Sequence, residues 1–191
     1  MPEGQFTPLT PDEQRDLIAY LGNPAQVSLR GPKAPIDAKT GKVPNAIEGE
    51  TMKIVGKTAG SAASQGMSGF TKDRWSGNDH LWWTGAKPND KLELELPVAK
   101  DGIYDIELVL CMARDYGIVQ ILIDGEPLGG PIDCFNDPDV ITTGVMSLPA
   151  KHLTQGTHKL GLQIVGANPK ALKGFMVGLD YVRLVKSGSQ N

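Results

Sequence analysis

The chain has 191 residues, with 19 basic and 22 acidic side chains and a formal charge of −3. That length holds one well-cored domain plus a short appendage. The charge balance excludes a nucleic-acid binder working through a basic surface, and no apolar run reaches the roughly 18 to 20 residues that a bilayer-spanning helix needs.

The opening Met1-Pro2-Glu3-Gly4-Gln5 lacks the basic and apolar regions of a signal peptide, so the chain reads either as cytoplasmic or as a piece of a longer exported protein. Thr10-Pro11-Asp12-Glu13 forms a capping box with Pro at the first helical position. Gln14, Leu17, Ile18 and Leu21 continue at the spacing of one helical face, and Gly22-Asn23-Pro24 ends it. A helix of about three turns is marginal alone in water, so its apolar edge must dock on something. Residues 25–45 are rich in Pro and basic residues and poor in large apolar ones, which predicts a linker or an irregular surface wrap.

From Ala46 onward the period becomes two. Leu92-Glu93-Leu94-Glu95-Leu96 alternates strictly, as a strand with one buried and one wet face does. Tyr104, Ile106, Leu108 and Leu110 alternate with Asp105, Glu107, Val109 and Cys111, and Ile118–Ile123 runs into the turn signal Asp124-Gly125. Two more strands are predicted at 159–165 and 176–184, and the tail at 186–191 is expected to be flexible. Several strands separated by Gly, Pro and Asn breaks, with no helical pattern between them, predict a mostly β fold: an antiparallel two-sheet β-sandwich over 46–185.

No catalytic constellation stands out. His80, His152 and His158 are scattered, and no nucleophile elbow, zinc-binding helix or phosphate loop is present. The reading is therefore of a protein that binds and does not catalyse. Glu93 and Glu95 share a side of their strand, as a solvated face does. A glycoside hydrolase would need two carboxylates about 5 to 9.5 Å apart in a cleft, which nothing in the spacing promises. Cys111 and Cys134 form no metal-ligand pattern; they read as two buried thiols, or as one disulfide if the chain is exported.

Three segments carry binding chemistry. Trp75-Ser76-Gly77-Asn78-Asp79-His80-Leu81-Trp82-Trp83 holds every Trp of the chain. Trp82 and Trp83 must point to opposite faces of a strand, leaving one to stack on a ligand such as a sugar ring. Arg114, Asp115 and Tyr116 join two strands and combine a donor fork, acceptors and a flat ring. Asn136 lies in a similar polar and aromatic stretch. Glu48 and Glu50, with Asp180 in the last strand, form the third set: hard oxygen ligands suit Ca²⁺ if the first and last strands are neighbours.

The order of Glu48-Gly49-Glu50, Gly102-Ile103-Tyr104-Asp105-Ile106, Ile123-Asp124-Gly125, Gly156-Thr157-His158 and Gly178-Leu179-Asp180-Tyr181-Val182 resembles galactose-binding-like β-sandwich domains, in particular calcium-containing carbohydrate-binding modules. The resemblance implies a jelly roll, a structural Ca²⁺ on Glu48, Glu50 and Asp180 with backbone carbonyls, an oligo- or polysaccharide partner, and a bacterial periplasmic or extracellular location. Gly49 stands where that family often has Ala. On this reading the sugar is held by Trp75, Asn78, Asp79, His80, Trp82, Arg114, Asp115, Tyr116 and Asn136. Segments 82–97 and 113–133 also look like accessory domains of large secreted proteins of environmental bacteria. Met1-Pro2, Leu9–Glu13 and Leu17–Leu21 resemble the end of a class I cytochrome c domain, whose Met is an axial haem ligand. No C-x-x-C-H is present, so this chain would bind no covalent haem itself. That likeness implies an upstream haem domain of the same polypeptide and, as an alternative function, a docking domain of a c-type cytochrome fusion with no sugar ligand.

Overall fold

The structure, a computed structural model, describes Thr10 and residues 30–187. Apart from Thr10, the predicted helix at 10–24, with its cytochrome c likeness, and the tail at 188–191 lie outside the described residues. Among the described residues thirteen strands follow one another: β1 (Ile47–Glu48), β2 (Ile54–Lys57), β3 (Ser61–Gly66), β4 (Asp79–Thr84), β5 (Lys91–Val98), β6 (Gly102–Met112), β7 (Ile118–Ile123), β8 (Glu126–Pro127), β9 (Ile132–Asp133), β10 (Ile141–Thr142), β11 (Met146–Leu153), β12 (Gly156–Gly166) and β13 (Val177–Lys186). They form two antiparallel sheets, the expected β-sandwich. The seven-stranded sheet runs β10-β6-β13-β4-β3, with β1 on β13 and β11 on β6; the six-stranded sheet runs β2-β5-β12-β7-β8, with β9 on β7.

The two sheets solve the burial problem differently. In the six-stranded sheet Leu92, Leu94 and Leu96 of β5 point inward beside Leu160, Leu162 and Ile164 of β12, all essentially inaccessible. The other face is wet: Glu93 pairs with Lys159 at 3.2 Å and Glu95 with Lys53 at 3.1 Å. Such exposed pairs contribute little, roughly 0 to 1 kcal/mol each. The Asp124-Gly125 turn closes β7 onto β8, both residues at positive φ as a two-residue hairpin turn requires. There His158 presents Nδ1 to Asp124 Oδ2 at 2.6 Å and Nε2 to the Thr154 carbonyl at 2.9 Å. With an acceptor at each nitrogen, the imidazolium is favoured, and the hydrogen bond with Asp124 holds the His158 pKa above its ordinary value.

The seven-stranded sheet is covered on both faces. Its inner face carries Leu81, Trp83, Ile106, Leu108, Leu110, Val177 and Leu179 into the common core. Its outer face is also sealed, so Leu108 to Met112 of β6 and Val177 to Val182 of β13 are continuously buried. Over one half of that face, Val109 and Tyr181 pack under Val43 and Val145, with Ala34, Ile36 and Ala46 against them. Over its described part, 30–45, the predicted linker is thus a packed wrap. Gly31 donates to the Thr143 carbonyl at 2.7 Å, and a Cβ at Gly31 would meet the Val145 carbonyl oxygen at 1.8 Å. Arg30 pairs with Asp73, which also accepts from the Thr142 N–H and hydroxyl at 2.9 Å each. Over the other half lie His80, Cys111, Tyr116 and Trp75. Cys111 and Cys134 are both free and buried; burial pushes the Cys111 thiol up to about 12 and raises that of Cys134 as well.

His80 is wholly buried, with Nε2 2.8 Å from Gln65 Oε1. Desolvation lowers its pKa from 6.5 to about 4. Between those values the unfolded imidazole takes up a proton that the folded one refuses, so stability falls as pH drops through this window, by on the order of 3 kcal/mol. His158 acts in a separate range: its raised pKa gives a contribution that is complete below about pH 6.5 and fades as pH rises through the folded value. Denaturant melts between pH 7 and 4 should show the acid-side loss, and His80→Gln should flatten it.

Strand β1 ends sooner than predicted. Ile47 and Glu48 pair with Val182 and Tyr181, but Gly49–Thr51 then form a 3-10 turn. The strand geometry expected to place Glu48 and Glu50 on one side therefore does not apply. The turn packs so closely that a Cβ at Gly49 would lie 2.2 Å from the Leu179 carbonyl oxygen, which explains the glycine physically. Gly49→Ala should lower stability by ~1–3 kcal/mol, read as a fall in midpoint with an unchanged denaturant slope.

Candidate functional site

Two places gather polar chemistry. The first lies at the β1–β13 junction. Asp180 is fully buried and Glu48 nearly so. Ser76 links them: its N–H donates to Asp180 Oδ1 at 3.0 Å and its hydroxyl to Glu48 Oε1 at 2.7 Å. The same hydroxyl accepts from the Val43 N–H at 2.9 Å, tying in the wrap. Burial, with the carboxylates of Glu48, Glu50 and Asp73 adding repulsion, pushes the Asp180 carboxyl up to about 9, against the pull of the Ser76 N–H. Burial likewise raises Glu50, joined by the charges of Glu48 and Asp79. Glu48 Oε2 and Glu50 Oε2 are sealed from solvent with no hydrogen-bond partner. Among the described residues, no group of three or more His, Cys, Asp or Glu side chains is gathered in a way that could hold a metal ion. The carboxylates of Glu48 and Asp180 are organised instead around Ser76.

The second is a cleft of about 280 Å³ on the outer side of the seven-stranded sheet, at the end away from the wrap. Trp82 lines it from β4, while the next residue, Trp83, is completely buried in the core and bonds the Ala59 carbonyl at 3.0 Å. Arg114, Asp115 and Tyr116 come from the β6–β7 loop; Pro138, Val140 and Met176 close the other side; Gln65, Met67 and Phe70 complete it. The loops are laced together by main-chain bonds. Ala113 N–H reaches the Cys134 carbonyl at 3.1 Å, Gly117 N–H the Met176 carbonyl at 2.9 Å, and Asn136 N–H the Ala113 carbonyl at 3.2 Å. At the rim, Arg114 Nη2 lies 3.2 Å from Asp137 Oδ1, both side chains about half exposed. Most of the lining is apolar, and Tyr116 contributes little surface because it is nearly buried.

Of the predicted binding residues, Trp82, Arg114, Asp115 and Tyr116 therefore meet at one cleft. Trp75 and His80 do not: they are 2% and 0% exposed, so the expectation that they offer a face to a ligand is corrected. Trp75 lies in the core with its ring 6.3 Å from that of Phe70, sealed by the loops that cover this half of the sheet. Asn78 and Asp79, at a 3-10 turn and the start of β4, do not line the cleft. Neither does Asn136, whose side-chain amide instead donates to the Asp139 carbonyl at 2.7 Å and shapes the loop. Sequence reasoning missed Gln65, Met67, Phe70, Ala113, Pro138, Val140 and Met176 as cleft residues; none carries a binding signature of its own, although Met176 opens the strand predicted at 176–184. It also missed the bonding role of Ser76. Among the described residues no helix is long and apolar enough to cross a membrane.

No protein-family model matches the chain. No curated protein matches it either. Among solved structures, a xanthan lyase from Paenibacillus is similar over 78% of this chain at 23% identity and a TM-score of 0.66, and the chain spans 14% of that enzyme's length. A family 35 carbohydrate-binding module from an environmental isolate aligns with 75% of this chain and 93% of its own, at 13% identity and a TM-score of 0.46. One from Clostridium thermocellum aligns with 74% of this chain and 98% of its own, at 16% identity and a TM-score of 0.45. The likeness to part of the lyase supports the sandwich fold described above.

Proposed function

We propose that this chain is a non-catalytic carbohydrate-binding module of a larger exported protein. The observation that carries the reading is the cleft, which brings together an indole face from β4 and a guanidinium and a carboxylate from the β6–β7 loop. A sugar ring stacks its C–H face on an aromatic surface while its hydroxyls bond polar groups at the edge. Trp82 supplies the surface; Arg114, Asp115 and the free amide hydrogens of Gln65 supply the bonds. No proton transfer is required. A fold shared with part of a xanthan lyase is in keeping with this. The alternative, a docking domain of a cytochrome fusion, goes with three buried Trp; Trp82 instead keeps part of its surface at the cleft, which favours the binding reading.

With one principal aromatic anchor, affinity should be modest, on the order of micromolar to millimolar. Titration calorimetry against plant, algal and bacterial polysaccharides should find such binding, and Trp82→Ala should weaken it at least about tenfold without lowering the melting midpoint by more than a few degrees. Absence of binding across the panel would refute the reading.

We further propose that a structural Ca²⁺ draws together Glu48, Glu50 and Asp180, which form no metal-holding group without it, with neighbouring backbone carbonyls. The support is the pair of buried carboxylate oxygens, on Glu48 and Glu50, that no hydrogen-bond partner meets, and the charge they carry. A bound cation would neutralise that charge. An ion that binds only the folded state at about 100 times its dissociation constant adds ~2.7 kcal/mol, so millimolar Ca²⁺ should raise the melting midpoint of chelator-treated protein by several degrees. Identical midpoints with Ca²⁺ and with EDTA would remove the ion.

A further inference from the structure

If the cleft binds a glycan, as proposed above, its lining also narrows the kind of sugar it takes. Cleft residues that present polar end groups to a ligand are few. Gln65 spends its carbonyl oxygen on His80 and has only amide donors left. Arg114 is donor-only, with one nitrogen engaged by Asp137. Asp115 is the one charged acceptor in the lining. The Trp82 indole nitrogen is sealed from solvent, and the Tyr116 hydroxyl lies against the Cys111 thiol. The side chains of the remaining wall, chiefly Phe70, Pro138, Val140 and Met176 with the nearly buried Met67 and Ala113 behind them, offer only hydrocarbon, sulfur and ring surface.

An unsubstituted pyranose fits this poorly. Each of its hydroxyls is a donor as well as an acceptor, and a donor buried against such a wall loses its water without a replacement partner. The free groups at the cleft are mainly donors, so the ligand they match carries extra acceptors and apolar surface and few extra donors. An ester on a sugar hydroxyl has that character. It converts a donor into a carbonyl acceptor for Gln65 or Arg114 and adds a methyl group for the apolar wall. The volume of about 280 Å³ lies at the lower edge of the usual range for ligand sites, about 300 to 1,000 Å³, enough for one substituted ring and not for a long segment of chain. We propose that the cleft recognises an O-acetylated sugar residue within a polysaccharide.

The test uses paired samples of the same polymer. Native acetylated glucomannan and acetylated xylan, each before and after mild alkaline deacetylation, are titrated against the full chain. The expected result is at least tenfold tighter binding to an acetylated member than to its deacetylated partner. Val140→Asn, at a half-buried wall position, should reduce the ratio of the two affinities at least threefold in the folded variant, whatever it does to either affinity alone. Equal or tighter binding after deacetylation overturns the acetyl proposal and leaves the glycan reading standing. A preference that survives Val140→Asn intact places recognition elsewhere and also overturns it. Absence of binding to every polymer, acetylated or not, overturns both.

Discussion

Burial of the seven-stranded sheet on both faces governs how this molecule is built. A two-layer sandwich needs only one covered face per sheet, and the six-stranded sheet follows that rule with its wet row of Glu93, Glu95 and Lys159. Its partner does not. Residues 30–46 cover one half of the outer face, and the loops around Phe70, Tyr116 and Phe135 cover the other. Both polar sites are consequences. The carboxylates of Glu48 and Asp180 are buried because the wrap and Ser76 close over them. The cleft is the gap left where the loop cover is incomplete, and Trp82 is the side chain of β4 that reaches that gap.

Small residues make the double cover possible. Beneath the loops, Gly178 is crossed by its neighbours: a Cβ there would lie 2.7 Å from both the Cys111 Cβ and the His80 ring. Gly31 and Gly144 let two main chains touch where the wrap meets β10–β11, with a Cβ on Gly144 falling 2.2 Å from the Gly31 carbonyl oxygen. A sheet face approached this closely carries its chemistry in buried, low-dielectric surroundings, which lower the pKa of His80 and raise that of Asp180.

Much of this is legible in the sequence, and the limits are physical. Leu92–Leu96 alternates because one face is wet, so both the strand and its buried side follow from the pattern. In β6 the pattern breaks down at Val109 and Cys111, apolar where alternation alone would place a solvent face, and that is the trace of the outer cover. β3, with Ser, Ala and Gln and no large apolar residue, carries no such signal, and periodicity does not find it. Trp82 and Trp83 can be assigned opposite faces from strand geometry. Trp75 cannot be told from them, because its burial depends on Phe70, five residues before it, and on the β6–β7 loop around Tyr116, about forty residues away. Glu48 and Asp180 meet as neighbouring first and last strands imply, while the turn at Gly49–Thr51 sets Glu50 differently, through a close approach to Leu179 that no local pattern announces.

If the incomplete cover over the outer sheet face is where a ligand enters, amide and side-chain NMR during titration with an oligosaccharide that binds will locate it there. The largest shifts are expected on the Trp82 indole, the Arg114 guanidinium, the Gln65 amide and the methyl groups of Met67 and Met176, with the Glu93–Lys159 face silent. Shifts concentrated on that wet face of the six-stranded sheet, with the cleft unmoved, would show that the ligand enters elsewhere.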